Sequence, residues 1–461
     1  MLKFTGGYNI PLAGRPGAEL EVLPEPAKLC IPLWTRRLRF TEIAVEEGRK
    51  VEQGQVLARD PDTYSVPLLA PREGTVRLDS PADHITLEEV SLGEEEPFNP
   101  DEHPDHVPQG RGQRGMKRFQ LKELGAWEFF SEAHTGEVPH PFGQPQAIIV
   151  STLRIEPFLA RGDIQLETHL DSFARGLEHL QSLLEYQPIC LVLPHVHSDL
   201  ADRIQEHVRG YAWIRAVTID LTYPYDNPSL LARKLGFPPA EDSPVWSLDV
   251  AGVLAVDRAL TRSLPSTVRI AALGGPAAEN PRHFKAMAGY PLEDLLGDKI
   301  MDPEFRVVNG GVLNGSVLEE KQRGLDSECR GLSILQEPGE AELLGWLRPG
   351  ADRKAYSNTF LGDLIPGLLN RLDTALHGEK RPCVSCQYCE QVCPVPILPH
   401  QIHKYLYQDA LEEVEKSRVD LCIDCGLCSY VCPSKIELRS QMQEGCRRIK
   451  EELHVEEDQN E

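Results

Sequence analysis

Cysteines are the residues with the clearest chemistry in this sequence, and most of them crowd into one stretch. Cys30, Cys190 and Cys329 are isolated, whereas the other nine of the twelve lie between Cys383 and Cys446. Crowded cysteines form disulfides in secreted proteins, and they bind metals in proteins that stay in a reducing compartment. The start of the chain has no apolar secretion signal, so the crowding predicts metal ligation.

Eight of these cysteines form two runs with one spacing, C-x2-C-x2-C-x3-C-P. The first run extends from Cys383 to Pro394 and the second run from Cys422 to Pro433. This spacing is typical of bacterial ferredoxins, in which three cysteines of a run bind one iron–sulfur cube and the fourth binds the other. We therefore predict two [4Fe–4S] clusters with crossed ligation. The first cluster is assigned to Cys383, Cys386, Cys389 and Cys432, and the second cluster to Cys422, Cys425, Cys428 and Cys393.

Structural zinc is the alternative, because paired C-x2-C motifs also bind zinc and eight cysteines would fill two zinc sites. Zinc does not need an identical repeat that includes both terminal prolines, so the pattern favours iron–sulfur ligation. Cys446 lies outside both runs, and we interpret it as a free thiol.

The residues that flank the two runs predict helices. Apolar residues recur at helical spacing from 402 to 414, and a second helical pattern extends from Glu437 to Leu453. The sequence thus predicts an α-helical dicluster ferredoxin domain over 381–453 and an acidic tail over 454–461. Two adjacent clusters conduct electrons, but they do not define a reaction on their own.

Length and composition limit the class of protein. The chain has 461 residues, of which 41% are hydrophobic and 26% charged, and this predicts about three folded domains rather than a disordered or fibrous protein. The net charge of −23 argues against nucleic acid as a partner, because phosphate binding needs an excess of Lys and Arg. No apolar stretch approaches the length of about 18 residues that a membrane-spanning helix needs, so we expect a soluble, cytoplasmic chain.

The N-terminal region, residues 1–92, shows short alternating strands separated by glycine turns. The stretch 39–80 resembles the barrel-sandwich hybrid of lipoyl carriers. Those carriers present a lysine at a hairpin tip, and the matching tip near Arg59–Thr63 has none, so we expect no covalent cofactor there. Prolines and glycines over 93–118 predict an exposed linker.

The middle of the chain predicts two further domains, joined to the cysteine runs by a second linker over 351–380. Strand patterns at Ala147–Ser151 and Ile189–Leu193 flank an amphipathic stretch over 164–184, which predicts a parallel crossover in a Rossmann-like α/β domain over 119–262. Strand patterns and Asn-Gly turns predict a β-grasp-like domain over 263–350. The fold class is therefore multidomain α/β and β, with an α-helical C-terminal domain.

The order of these parts resembles the NqrA subunit of the Na+-translocating NADH:quinone reductase. The likeness is carried by Gly6–Gly14, Ala272–Pro276, Gly311–Val317, Gly345–Gly350 and Thr359–Gly362, and it extends to about residue 365. In that family the C-terminal cysteine pattern is decayed and no cluster is bound. Here both runs are whole, as in the related RnfC subunit of the Rnf complex.

The Rnf subunit binds a flavin and NADH through glycine-rich loops. The matching segments here are Glu123–Glu128 and Tyr223–Pro228, and neither keeps the glycines. Glycine lets backbone amides approach a phosphate without a Cβ in the way. The resemblance together with this loss argues against FMN and NADH binding in this chain.

The resemblance implies a peripheral cytoplasmic subunit on the inner face of the bacterial cell membrane, in an ion-translocating NADH:quinone or Rnf-type oxidoreductase. Such a subunit would carry electrons through two [4Fe–4S] clusters, with integral-membrane subunits as partners, a ferredoxin or flavoprotein as donor, and sodium and ubiquinone as expected substrates of the complex. Two alternatives stay open, an architectural subunit with structural clusters and a component of a soluble NADH or ferredoxin oxidoreductase. No catalytic residue is assigned, and we expect the isolated chain not to be catalytic.

Overall fold

The computed structural model describes residues 1–79, 83–91, 112–196, 199–240, 242–300, 302–337, 350–375 and 379–460. The strands of these ranges are β1 (Leu20–Val22), β2 (Lys28–Pro32), β3 (Glu42–Ile43), β4 (Lys50–Val51), β5 (Val56–Asp60), β6 (Val66–Leu69), β7 (Glu73–Asp79), β8 (His84–Ser91), β9 (Ser131–Glu132), β10 (Ala147–Ser151), β11 (Ile189–Pro194), β12 (Ile214–Ile219), β13 (Val245–Asp249), β14 (Val268–Gly274), β15 (Arg282–Met287), β16 (Phe305–Asn309), β17 (Ser316–Val317) and β18 (Gly331–Gln336).

The helices of the described ranges are α1 (Gly112–Glu123), α2 (Gly162–Leu166), α3 (Leu170–Ser182), α4 (Asp199–Val208), α5 (Pro228–Leu235), α6 (Val250–Arg262), α7 (Leu292–Leu296), α8 (Tyr388–Gln391), α9 (Pro399–Tyr407), α10 (Leu411–Lys416), α11 (Leu427–Tyr430) and α12 (Leu438–Asn460). Short 3-10 turns lie at Trp127–Phe129, Gly297–Ile300, Leu361–Leu364 and Val419–Leu421. None of the helices in these ranges is long and apolar enough to cross a membrane.

Two small antiparallel sheets form the N-terminal part. A four-stranded sheet has the order β2-β8-β7-β4, and a three-stranded sheet has the order β3-β5-β6. Alternate residues such as Leu29, Val76 and Leu87 are fully buried between them. The strands predicted over 39–80 are present, and β2 and β8 from outside that range complete the larger sheet. The lipoyl-like assignment itself stays a prediction.

A five-stranded sheet of the order β12-β11-β10-β13-β9 forms the α/β part. β10 pairs in parallel with β11 and with β13, so the predicted parallel crossover from β10 to β11 is confirmed. The helix predicted over 164–184 is divided into α2 and α3, because a periodic apolar face reports burial and not an unbroken backbone. α3 crosses α6 closely at Gly176, where a Cβ would lie 2.4 Å from the carbonyl oxygen of Val253. The Rossmann-like name stays a prediction.

A six-stranded mixed sheet has the order β1-β15-β14-β18-β16-β17. The strands predicted after residue 263 are present, but the edge strand β1 comes from the N-terminal region and pairs in parallel with β15. The sheet thus includes a strand from outside 263–350. The assignment of a β-grasp-like domain to that range stays a prediction.

The C-terminal part is helical, from α8 to α12. The helical pattern over 402–414 is divided between α9 and α10 by a turn in which Asp409 has a positive φ of 58°. The pattern from Glu437 begins α12, and the backbone of that helix continues through the range predicted as an acidic tail to Asn460. Residue 461 lies outside the described residues.

The two predicted linkers differ from the expectation in the parts that the structure describes. α1 begins at Gly112, so the last residues of 93–118 are helical, while 93–111 lie outside the described residues. In the second linker, the backbone N–H of Asn370 donates to Pro11 O at 2.6 Å, and the Asn370 side chain accepts from the N–H of Lys354 at 2.7 Å. This segment therefore lies against the N-terminal strand region. Most of the Gly345–Gly350 motif lies outside the described residues.

Candidate metal centres

The structure gathers the eight cysteines of the two runs around two cavities, with volumes of about 320 and 360 Å³ that include space open to solvent. The first cavity is lined by Cys383, Cys386, Cys389 and Cys432. The second cavity is lined by Cys393, Cys422, Cys425 and Cys428. Each cavity thus takes three cysteines from one run and the fourth from the other, which is the grouping that crossed ligation needs. The ligation itself stays a prediction.

The two cysteine loops have the same backbone shape. Ser385 and Asp424 occupy the same position in the two runs and have φ of 54° and 55°, and the next such pair, Gln387 and Gly426, has φ of 64° and 76°. Left-handed residues cost about 1–2 kcal/mol when they are not glycine. They turn each loop tightly, so that its three thiols face one cavity and a short helix, α8 or α11, can start. Strain of this kind collects at functional sites.

Burial disfavours the charged form of several of these thiols. Burial, followed by the neighbouring thiols, raises the pKa of Cys389 to about 12. Burial is also the largest cause that raises the pKa of Cys422 and of Cys425 to about 12, and it raises the pKa of Cys428 well above its usual value. Because a cysteine ligates metal as a thiolate, loading must release these protons, and the metal must supply the positive charge that holds four thiolates together.

The donor set fits an iron–sulfur cluster. Four sulfur donors around one cavity suit soft ligation, either of iron–sulfur clusters or of zinc. Among the described residues, no three His, Cys, Asp or Glu side chains converge on a point where a single metal ion would be held. The first cavity is also lined by His400, whose buried Nδ1 atom has no hydrogen-bond partner among the residues that the structure describes.

The second cysteine loop is covered by the rest of the protein. Arg439 donates to both carboxylate oxygens of Asp424, at 2.7 and 2.6 Å, and to the carbonyl oxygen of Leu313 at 2.8 Å. A Cβ on Gly426 would lie 3.1 Å from the same Leu313 oxygen. The second loop therefore packs against the loop that joins β16 to β17.

A buried tyrosine ties the α/β part to the same place. The Tyr223 hydroxyl donates to the carbonyl oxygen of Cys425 at 2.8 Å and accepts from Nδ2 of Asn314 at 2.9 Å. Glu156 accepts from the backbone N–H groups of Leu313 and Asn314, at 3.2 and 2.9 Å, and burial raises the pKa of Glu156 and of Tyr223. Three parts of the chain thus meet at the second cavity.

The N-terminal segment completes this packing. The backbone N–H of Gly7 donates to Val392 O at 2.9 Å, and a Cβ on Gly6 would lie 2.3 Å from the carbonyl oxygen of Cys393. Gly6 has a φ of 67°, so both its space and its backbone require glycine. Sequence reasoning noted these glycines only as a likeness, since nothing local shows that residue 6 contacts residue 393.

The first cysteine loop is open by comparison. The Val384 side chain is 66% exposed, and Arg381, Ser385 and Gln387 are exposed as well. Lys404 on α9 donates to the hydroxyl of Ser385 at 3.0 Å. The two loops are therefore alike in cysteines and different in the exposure of the residues between those cysteines.

The two segments that were compared with the nucleotide loops of the Rnf subunit make ion pairs and hydrogen bonds within this chain. Glu128 forms a buried ion pair with Arg269 and accepts from the Ser327 hydroxyl at 3.1 Å. Asp226 is partly buried, accepts from the backbone N–H of Ile155 at 2.9 Å, and has a pKa raised by desolvation. Asn227 caps α5, accepting from the N–H of Ser229 at 3.0 Å and of Leu230 at 3.2 Å. These amides are consequently not free for a phosphate.

Three protein-family models match the chain. The NqrA second alpha/beta domain matches residues 114–263, the NQRA C-terminal domain matches 270–320, and a 4Fe-4S dicluster domain matches 382–437. The chain thus contains domains of the NqrA type followed by a dicluster domain. The predicted resemblance to NqrA and the predicted ferredoxin-like domain are supported, whereas the comparison with RnfC stays a prediction.

Curated relatives that are named as this reductase subunit match nearly the whole length of the chain. The NqrA subunit of the Na(+)-translocating NADH-quinone reductase of Neisseria meningitidis serogroup C is 26% identical over 452 residues, which cover 95% of this chain and 96% of the relative. The same subunit from Yersinia pseudotuberculosis serotype I is 26% identical over 471 residues, covering 98% and 100%. Structures of an NAD+-reducing [NiFe]-hydrogenase match 58% of the chain at 14% and 13% identity, with TM-scores of 0.35 and 0.37, too low to support any conclusion.

Proposed function

We propose that this chain is an electron-carrying subunit of a membrane-bound, ion-translocating NADH:quinone oxidoreductase of the Na+-translocating or Rnf type. The observation that carries the proposal is the pair of cavities, each lined by four cysteines drawn from both runs. When bound there, [4Fe–4S] clusters would each accept and release one electron. The NqrA-type domains and the relatives named as the NqrA subunit support the complex to which the chain is assigned.

The two cysteine loops differ in exposure, and this difference favours the first loop as the place where a redox partner binds. Arg439 and Asp424 line the second cavity, and Arg439 ties the second loop to Leu313 O. The first loop is exposed at Val384, so a partner can approach the first cavity most closely there. Arg381 and Lys404 lie on the same exposed side, in a chain whose net charge is −23, and this favours a donor with an acidic surface such as a ferredoxin or a flavoprotein.

The place of the chain in the complex follows from the same proposal. The relatives are named as one subunit of a reductase, so we propose integral-membrane subunits as partners and a peripheral position on the cytoplasmic face of the bacterial membrane. Sodium transport and reduction of ubiquinone would belong to the complex, with NADH oxidised on another subunit.

The deciding experiment is a redox titration of the full chain, purified or reconstituted without oxygen. We expect about eight iron atoms and about eight sulfides per chain, because each cubane contains four of each. Both clusters should be reduced reversibly, and the chain should co-purify with membrane subunits from its own cells. Zinc in place of iron, or a single cluster, would contradict the cluster assignment.

The same titration distinguishes an electron-carrying role of the clusters from a purely architectural one. Three of the cysteines, Cys389, Cys425 and Cys432, share a buried core with Tyr223 and Leu427, so structural clusters are compatible with the packing. Structural clusters would not accept electrons from reductants that have the reduction potential of NADH or of a ferredoxin. Clusters that are present but inert to both classes of reductant would favour architecture over conduction.

The difference in exposure predicts the order in which the clusters are lost. During slow oxidation by ferricyanide, the first cluster should disappear several-fold faster than the second, because its loop is exposed and the second loop is covered by Arg439. Iron content and electron paramagnetic resonance (EPR) spectra followed with time measure this. Arg439→Ala is the matched variant, and it should speed the loss of the second cluster alone. Equal rates in the unchanged protein would show that the cover has no effect.

A further inference from the structure

The first cavity contains one side chain whose chemistry the cysteines do not explain. His400, at the start of α9, lines the cavity and is only 7% exposed. Its Nδ1 atom is buried and has no hydrogen-bond partner among the described residues. A buried polar atom left without a partner is unfavourable, because it has lost its hydrogen bonds to water. Such an atom is expected to find its partner in whatever fills the cavity.

The second cavity provides an internal comparison. Arg439 follows Cys432 at the same interval at which His400 follows Cys393, and it lines the second cavity as His400 lines the first. The Arg439 guanidinium is already engaged by Asp424 and by Leu313 O. One structural position therefore holds an engaged donor in the second cavity and an unengaged ring nitrogen in the first.

His400 is also anchored close to the cysteine sulfur. Its backbone N–H favours the thiolate form of Cys389, one of the first-cluster cysteines, and so acts against the rise in the pKa of that thiol. α9 begins at Pro399, so the position of the ring is set by a helix and not by a mobile loop. The ring is consequently held beside the cavity before any group is bound.

We propose that His400 donates an Nδ1–H hydrogen bond to a sulfur atom of the first cluster and raises the reduction potential of that cluster. The inference rests on the proposed function, because it requires a cluster in the first cavity. Reduction adds one electron from the reductant and makes the cluster about one unit more negative. A hydrogen bond to sulfur stabilises the more negative, reduced form more than the oxidised form, so its presence favours reduction.

The test is the reduction potential of each cluster in three variants of the full chain, followed by EPR. In His400→Phe, which keeps a ring and removes the donor, we expect the reduction equilibrium of the first cluster to fall about tenfold, which is about 59 mV for one electron. The second cluster should be unchanged. His400→Asn places an amide N–H near the position of Nδ1 and should restore most of the loss. His403→Phe is the control on the same helix, since His403 contacts Gln441 and does not line the cavity.

The outcomes separate this inference from the proposed function. If the unchanged protein holds no reducible cluster, the proposed function fails. If both clusters are present and His400→Phe leaves both potentials unchanged, the inference is overturned and the proposed function stands. If His400→Phe loses the first cluster, pulsed EPR of the unchanged protein with 15N-labelled histidine decides. A histidine nitrogen coupled to the first cluster supports the hydrogen bond, and no such coupling overturns it.

Discussion

Replacing Cys393 by serine should remove the second cluster and leave the first, lowering the iron content from about eight to about four atoms per chain. In the sequence, Cys393 belongs to the first run. In the structure it lines the second cavity with Cys422, Cys425 and Cys428. A serine hydroxyl is a hard oxygen donor and a poor replacement for a thiolate on a cluster. The damage should therefore appear away from the run in which the substitution lies.

The reciprocal variant sharpens this prediction. Cys432→Ser should remove the first cluster, because Cys432 lines the first cavity with Cys383, Cys386 and Cys389. Cys446→Ser is the matched control. Cys446 has a partly buried thiol that contacts Val419 O at 3.2 Å, and it lines neither cavity, so both clusters should stay. EPR and iron assays of the three variants make the measurement. If Cys393→Ser damaged only the cluster of Cys383, Cys386 and Cys389, crossed ligation would be wrong.

The cysteines of the site could be predicted because their chemistry is local. Two-residue spacings place three thiols on one loop, and this needs no knowledge of the rest of the fold. The covering of the second loop could not be predicted in this way. Tyr223 and Cys425 are 202 residues apart in the chain, and Arg439 reaches Leu313 across 126 residues. Contacts of this kind depend on how whole domains pack, and no spacing in the sequence reports them.

In the fold, too, some elements could be predicted from the local sequence and others could not. β10 and β11 could be predicted because each is a short, continuous apolar run that is buried on both faces. β1 has only three residues, and it becomes a strand because it pairs with β15, whose residues lie more than two hundred positions later. β13 and α6 were not among the predicted elements, although both are central to the α/β part.

The loops that match nucleotide-binding segments show how the structure adds to a sequence argument. The sequence shows that these two segments contain a single glycine, Gly125, so most positions that would let a phosphate approach closely carry a side chain. The structure shows in addition that Glu128 is paired with Arg269 and that the first amides of α5 are bound by Asn227. Removing Glu128 would not create a phosphate-binding site. It would leave the buried charge of Arg269 unpaired, which would lower the free energy of unfolding by about 3–5 kcal/mol.

The isolated full chain should therefore neither bind NADH tightly nor oxidise it, although the complex should oxidise NADH through another subunit. A dinucleotide pyrophosphate needs free backbone amides at a helix start, and those of Ser229 and Leu230 are taken by Asn227. The charge of the chain acts in the same direction, since a net charge of −23 repels a dianion before contact.

Calorimetry of the anaerobic full chain is the measurement, with NADH added to about millimolar, the upper end of usual enzyme affinities. We expect no saturable heat, and no fall in NADH absorbance when an artificial electron acceptor is present. Asn227→Ala frees the two amides of α5, so it tests whether the cap alone blocks the helix start. If this variant stays silent, the buried ion pair at Glu128 and the missing glycines also matter. A dissociation constant of micromolar or below for the unchanged chain would show that NADH has a site here that does not use these two segments, or that they rearrange on binding.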